Sequence, residues 1–116
     1  MFHERGDLRK RTQEFARRVA HAFRALPKGD RVAQVWGDQM LRAGGSVGAN
    51  YREAQRGRSL AEHRSKMGDC LREGDEAHYW MELLQLEGYF KPDVIEPLMQ
   101  EASELIAIFA SLLRKH

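Results

Sequence analysis

Hydrophobic residues recur every three or four positions along most of the chain, and no stretch shows the period of two that a half-buried strand requires. Leu8, Phe15, Val19, Phe23 and Leu26 mark a first helix running from about Asp7. Pro27-Lys28-Gly29 stops it, because proline lacks a backbone donor and glycine frees the chain. Asp30 is placed to cap a second helix, whose stripe is Val32, Trp36, Met40, Ala43, Val47, Tyr51 and Ala54. Gly57 breaks it, and Ser59-Leu60-Ala61-Glu62 reads as a capping box at the start of a third.

The third helix turns Leu60, Met67, Cys70, Leu71, Gly74, Ala77, Met81 and Leu84 inward and ends near Gly88. Lys91-Pro92-Asp93 opens a fourth, with Val94, Leu98, Ala102, Leu105, Ile106, Phe109, Leu112 and Leu113 on its inner face. Pro97 fits this helix only within its first turn, where a missing N–H costs little. Short connections between long helices favour antiparallel neighbours. The expected fold is therefore all-α: one domain over residues 1–116, an antiparallel up-down-up-down four-helix bundle.

Gly44, Gly45 and Gly48 interrupt the second stripe without breaking its period. Glycine inside a helix costs roughly 1 kcal/mol relative to alanine, so three of them call for an offsetting gain. A phosphate loop would need Lys-Ser/Thr after the last glycine, and Ala49-Asn50 stands there. A dinucleotide fingerprint would need a preceding strand. Close approach of a neighbouring helix is the better account, since Gly44 and Gly48 share a face.

Beside that apolar stripe, Gln39, Arg42, Ser46, Asn50 and Glu53 form a polar one. Lys66, Glu73, Glu76 and Trp80 do the same on the third helix. A hairpin turning at Gly57 sets Arg42 opposite Glu73, Gln39 opposite Glu76, Asn50 near Lys66, and Val35 or Trp36 near Trp80. The expected role is a structural one, an interhelix polar network that fixes register; a ligand site is the alternative.

The segment "QMLRAGGSVGANYREAQRGRSLAEHRSKMGDCLREGDEAHYWMEL", Gln39 to Leu83, resembles the bacterial four-helix-bundle proteins first noticed as products of intervening sequences within 23S ribosomal RNA genes. Gln39, Arg42, Ser46, Asn50, Glu53, Ala54, Ser59, Lys66, Glu73, Glu76 and Trp80 carry the resemblance. With the upstream "EFARRVAHAFRALPKGD" it covers nearly the whole chain. His63 departs from it, standing where an aromatic such as Phe is expected. The resemblance implies a four-helix bundle and ring-like homo-oligomers, usually pentamers. It extends to the accessory proteins of diversity-generating retroelements, which bind nucleic acid and a reverse transcriptase.

Charge sharpens the functional question. Residues 1–58 sum to +7 and residues 59–116 to −5, within a net charge of +2. Such halves can attract each other inside the fold, or the basic one can face nucleic acid. The candidate phosphate-binding cations are Arg9, Lys10, Arg11, Arg17, Arg18 and Arg24 on the first helix and Arg52, Arg56 and Arg58 around the turn after the second. No aromatic platform for stacking single strands stands out, so binding would follow the backbone with little sequence preference.

Other chemistry finds weaker footing. Cys70 is the only cysteine, which excludes an intrachain disulfide and fits a reducing compartment. Met1-Phe2-His3-Glu4-Arg5 carries charge where a signal peptide would be apolar, and no stretch approaches a membrane span, so a cytoplasmic chain is expected. Asp75-Glu76-Ala77-His78 is a single acid-x-x-His pair, and Glu96, Glu101 and Glu104 add no second, so no metal and no cofactor is expected. Arg58…His63 and Arg72…His78 match the loose spacing of helical ribonucleases, a distant third reading. The leading expectation is a non-catalytic, self-assembling accessory that binds RNA or DNA; the competing one is a purely structural or protein-interaction bundle.

Overall fold

The computed structural model describes residues 2–115, with side chains from Leu8 onward. Its helices are α1 (Phe2–Arg24), α2 (Arg31–Gln55), α3 (Leu60–Leu86) and α4 (Pro92–Arg114), and no strand occurs among the described residues. No described helix is long and apolar enough to cross a membrane.

The punctuation is local chemistry. Asp30 caps α2 by accepting the Ala33 N–H at 3.1 Å, and Ser59 caps α3 by accepting that of Glu62 at 3.1 Å. The expected return bond of the capping box differs: the Glu62 carboxylate takes the amide of Arg58, at 2.9 Å, not that of Ser59. Past the end of α3, Gly88 adopts φ +82°, and the amides of Gly88 and Tyr89 reach back to the Gln85 and Leu84 carbonyls at 2.9 and 3.0 Å. This paired closure requires a left-handed residue, hence glycine.

Each sequential pair of helices runs antiparallel. Gly37 lies against Phe23 and Leu26, Gly44 against Val19, and Gly48 against Thr12, so α2 descends along α1. Arg42 meets Glu73 and Glu76 across α2 and α3, while Gly74 meets Ile106 and Arg64 meets Leu113 across α3 and α4. Arg11 reaches Glu101 and closes the ring from α1 to α4. The result is the up-down-up-down bundle that the spacing predicts, with the glycines inside an unbroken α2.

Leu8, Phe15, Val19, Met40, Val47, Met67, Cys70, Met81, Leu84, Leu105 and Phe109 form the buried centre. Thr12 is the buried polar residue among those described, and its hydroxyl donates to the Leu8 carbonyl one turn back at 2.6 Å. Four expectations need correction. α1 begins at Phe2, not at about Asp7, since a nucleated helix extends by single turns at small cost. Val32, Leu60 and Val94, read as core, are exposed because each lies in the first turn of its helix, past the cover of its neighbours; Ile95 takes the inward place beside Val94. Pro97 lies inside α4, beyond the first turn. The carbonyl it leaves without an amide belongs to Asp93, and both residues are exposed, so water can serve that oxygen. Trp36 is half-buried instead of buried, because it lies at the edge of the α2–α3 contact against the equally half-buried Trp80.

Candidate nucleic-acid interface and interhelical network

The polar seam between α2 and α3 follows from helical register. Arg42 spans one turn of α3, its Nη1 at 3.3 Å from Glu73 Oε1 and its Nη2 at 2.6 Å from Glu76 Oε2. Glu76 also accepts the Trp80 indole N–H at 3.1 Å, and Trp80 lies with its centroid 6.4 Å from that of Trp36. The Arg42 guanidinium, and then the indole N–H, hold the Glu76 carboxyl below the usual carboxylate range. Arg42 is raised in turn, first by its bond to Glu76.

Two details of the expected network are different. Lys66 bonds Glu53, at 2.7 Å, and not Asn50. A carboxylate within reach outcompetes an amide for an ammonium. Asn50 Nδ2 turns back to the Ser46 carbonyl at 2.9 Å, just as Ser46 Oγ donates to the Arg42 carbonyl at 2.9 Å. Gln39, expected opposite Glu76, makes no side-chain hydrogen bond among the described residues, and it is Arg42 that reaches Glu76. The seam is also open to solvent, with the Arg42 side chain 49% exposed. Its ion pairs belong to the surface class, worth up to about 1 kcal/mol each. It contributes little stability.

The other face is basic. Lys10, Arg17 and Arg24 recur every seven residues, so they stand on one outward face of α1 about 21 Å long at 1.5 Å per residue. Arg9 stands toward α2 and Arg18 toward α4. The antiparallel register that sets Gly48 against Thr12 brings Arg52 and Arg56 to the Arg9 end of α1. Arg9, Lys10, Arg18, Arg24, Arg52 and Arg56 make no ion pair among the described residues. Beneath this face, α1 and α4 part to leave a trough. One portion of ≈ 510 Å³ is walled by Arg17, Arg18, His21 and Arg24 over Val94 and Leu98. A second, of ≈ 340 Å³, shares Glu14 and Arg18 with it and continues to Lys10 and Arg11.

Arg11 does something else. Its Nε and Nη2 grip Glu101 at 2.7 and 2.9 Å, and Nη2 reaches Glu104 at 2.7 Å. The bond to Glu101 is the main cause of a guanidinium held protonated well beyond its ordinary range. Arg11 is thus the latch between α1 and α4 rather than a free phosphate contact. Arg17 and Arg58 have only loose exposed partners, Glu14 at 3.3 Å and Glu62 at 3.6 Å.

Several working residues escaped the sequence reading. Tyr89 donates its hydroxyl to Asp30 at 2.8–2.9 Å, tying the α3–α4 connection to the α2 cap. The Ala33 amide and then this hydroxyl hold Asp30 below its ordinary pKa. Arg64 closes the end of α4 by donating to the Leu113 carbonyl at 2.7 Å. His63 gives its departure from the expected aromatic a purpose: Nδ1 lies 2.8 Å from the Ala54 carbonyl, so that nitrogen carries the proton and seals the end of α2. For Arg11 a signal existed, since Glu101 and Glu104 lie one turn apart and offer a cation two carboxylates. Among the described residues no group of three His, Cys, Asp or Glu could hold a metal ion. Arg72 is held by Asp69 one turn away.

These features define a class: an all-helical bundle with a polar, ion-paired seam on one side and a basic helix on the other. The chain belongs to the 23S rRNA-intervening sequence protein family, which it matches over residues 4–111. It is also similar to a crystal structure of a protein of unknown function from the S23 ribosomal protein family of Bacteroides thetaiotaomicron. The two are 30% identical with a TM-score of 0.84, over 90% of this chain and 96% of that one. A comparison with curated proteins gives no match.

Proposed function

We propose that this chain is a non-catalytic, self-associating accessory protein that holds RNA or DNA by its phosphate backbone along the outward face of α1. The observation that carries the reading is the row Lys10, Arg17 and Arg24, flanked by Arg9, Arg18 and Arg52, exposed or half-exposed, with Glu14 as the acid among them. Phosphate contact needs such a cluster of cations, and copies of it on an assembled homo-oligomer multiply a weak site. Of the two ribonuclease-like spacings, Arg72…His78 has its arginine engaged by Asp69 on its own helix, which favours binding over cleavage there.

The test is fluorescence anisotropy with labelled duplex DNA and RNA across a salt series, beside sedimentation for the mass. A row neutralising about five phosphates loses roughly 500-fold in affinity between about 50 and 200 mM salt. The triple variant Lys10→Glu, Arg17→Glu, Arg24→Glu abolishes binding and keeps its helicity. Absence of binding at low salt, or binding unchanged in the triple variant, overturns the reading and leaves a structural bundle. Shortened RNA after incubation overturns the non-catalytic part.

A further inference from the structure

The side of the molecule opposite the basic helix carries an apolar strip that nothing within the chain covers. On α2 it consists of Val32 and Val35, 43% and 46% exposed, with the half-buried Trp36. On α3 it consists of Tyr79, 50% exposed, and Leu86, 75% exposed, with the half-buried Trp80. The Trp36–Trp80 contact places both sets at the same end of the hairpin, and Tyr79 lies edge-on to Trp80 at 5.2 Å. The open area is on the order of a few hundred Å², the size at which exposed patches on soluble proteins mark interaction sites.

Its borders are acidic. Asp38 lies outside Val35 on α2, and Asp75 and Glu82 lie outside Tyr79 on α3, all exposed and without an ion pair among the described residues. Arg42 and Arg72 are already engaged by Glu73, Glu76 and Asp69. Arg31, one turn before Val35, is exposed and without an ion pair among the described residues, so three free acids stand there against that cation. We infer that this face is a docking groove for a basic amphipathic helix of a partner protein. Apolar side chains of that helix fill the space between Val35 and Tyr79, and its lysines or arginines meet the acids on either side. Two copies meeting face to face through this strip would set Asp38, Asp75 and Glu82 near the same acids of the other copy, which the unpaired Arg31 offsets only in part. The α1 helix of a second copy does not fit either, since its apolar residues Phe15, Val19 and Leu26 are already buried in its own core. The inference is independent of nucleic-acid binding, which uses the other side.

Trp36 and Trp80 are the protein's two tryptophans, so their emission reports on this strip directly. The probe is a short leucine–lysine peptide with leucines at helical spacing and no tryptophan. Its controls are a scrambled peptide of the same composition and a leucine–glutamate counterpart. The amphipathic basic peptide shifts the emission and saturates at one per chain, while the controls bind at least tenfold more weakly. The paired variant Val35→Lys, Leu86→Lys loses roughly tenfold or more in affinity with far-ultraviolet circular dichroism unchanged. No emission shift, equal affinity for the scrambled peptide, or full affinity in the variant overturns the inference. So does a fall in the mass of the free protein on making the variant, since a second copy would then already cover the strip.

Discussion

Two adjacent glycines separate backbone packing from helix propensity. A methyl added at Gly44 would lie 2.9 Å from both Val19 methyls and 3.0 Å from Val19 Cβ. Carbon atoms prefer about 3.5–4.0 Å, and Val19 cannot swing aside because the clash includes its branch point. A methyl at Gly45 meets nothing within 4 Å. Both substitutions to alanine gain about 1 kcal/mol of helix propensity. That gain cancels in the comparison, leaving the overpacking cost of about 1–3 kcal/mol against Gly44→Ala. With about 4 °C per kcal/mol in a domain of this size, Gly44→Ala melts roughly 4–12 °C below Gly45→Ala. Gly45→Ala itself melts at or above the parent. Thermal and urea unfolding followed by circular dichroism read both values. The double variant Gly44→Ala, Val19→Ala recovers part of the loss relative to additivity, because the atoms in conflict are gone. Equal melting temperatures for the two single variants would refute the claim that α1 and α2 approach through Gly44.

Two further outcomes follow from titratable groups. Burial pushes the Cys70 thiol up to about 12, so it stays protonated in the fold and loses stability to the unfolded thiolate as pH rises above about 9. A disulfide reagent then reacts only as fast as the chain opens, and reaction with the native protein at the free-thiol rate refutes the burial. Glu76 has its pKa lowered by Arg42, so its contribution is present above the ordinary glutamate range and fades as pH falls through the lowered value. Glu76→Gln is accordingly less stable than the parent near neutral pH, and the gap closes below about pH 4. A gap that stays constant through acid unfolding would refute the ion pair.

The fold was legible where one physical requirement dominates. Asp30, Ser59 and Gly88 each satisfy a backbone need that few other residues meet, and the inward stripes match the buried centre from Leu8 to Phe109. Val32, Leu60 and Val94 misled because periodicity describes a face and not where the neighbouring helix ends. The α2–α3 seam was readable in outline, since a hairpin fixes which numbers oppose. Its exact pairs were not, because long side chains reach a full turn either way: Arg42 takes both Glu73 and Glu76, and Lys66 reaches Glu53. The partners of Arg11 were hidden for a different reason. They stand about ninety residues away in sequence, and only closure of the ring brings them near.

The division of charge between the two halves had two explanations, attraction within the fold or a face kept for a partner, and the ion pairs weigh them. Attraction between helices accounts for Arg11 with Glu101 and Glu104, and for Arg42 with Glu73 and Glu76. Arg58 adds only a loose local pair with Glu62, and the Glu53–Lys66 pair runs the opposite way, with the acid in the basic half. Six of the remaining candidates, Arg9, Lys10, Arg18, Arg24, Arg52 and Arg56, are left without an ion pair among the described residues. Folding therefore consumes little of the asymmetry. Cations kept together on one helix face repel one another, and a fold that needed them only for solubility could scatter them. Their arrangement on α1, with the unpaired acids Asp38, Asp75 and Glu82 around the α2–α3 strip, is a division of the free charge between two parts of the surface. That division favours an adaptor with two different partners over a bundle with none.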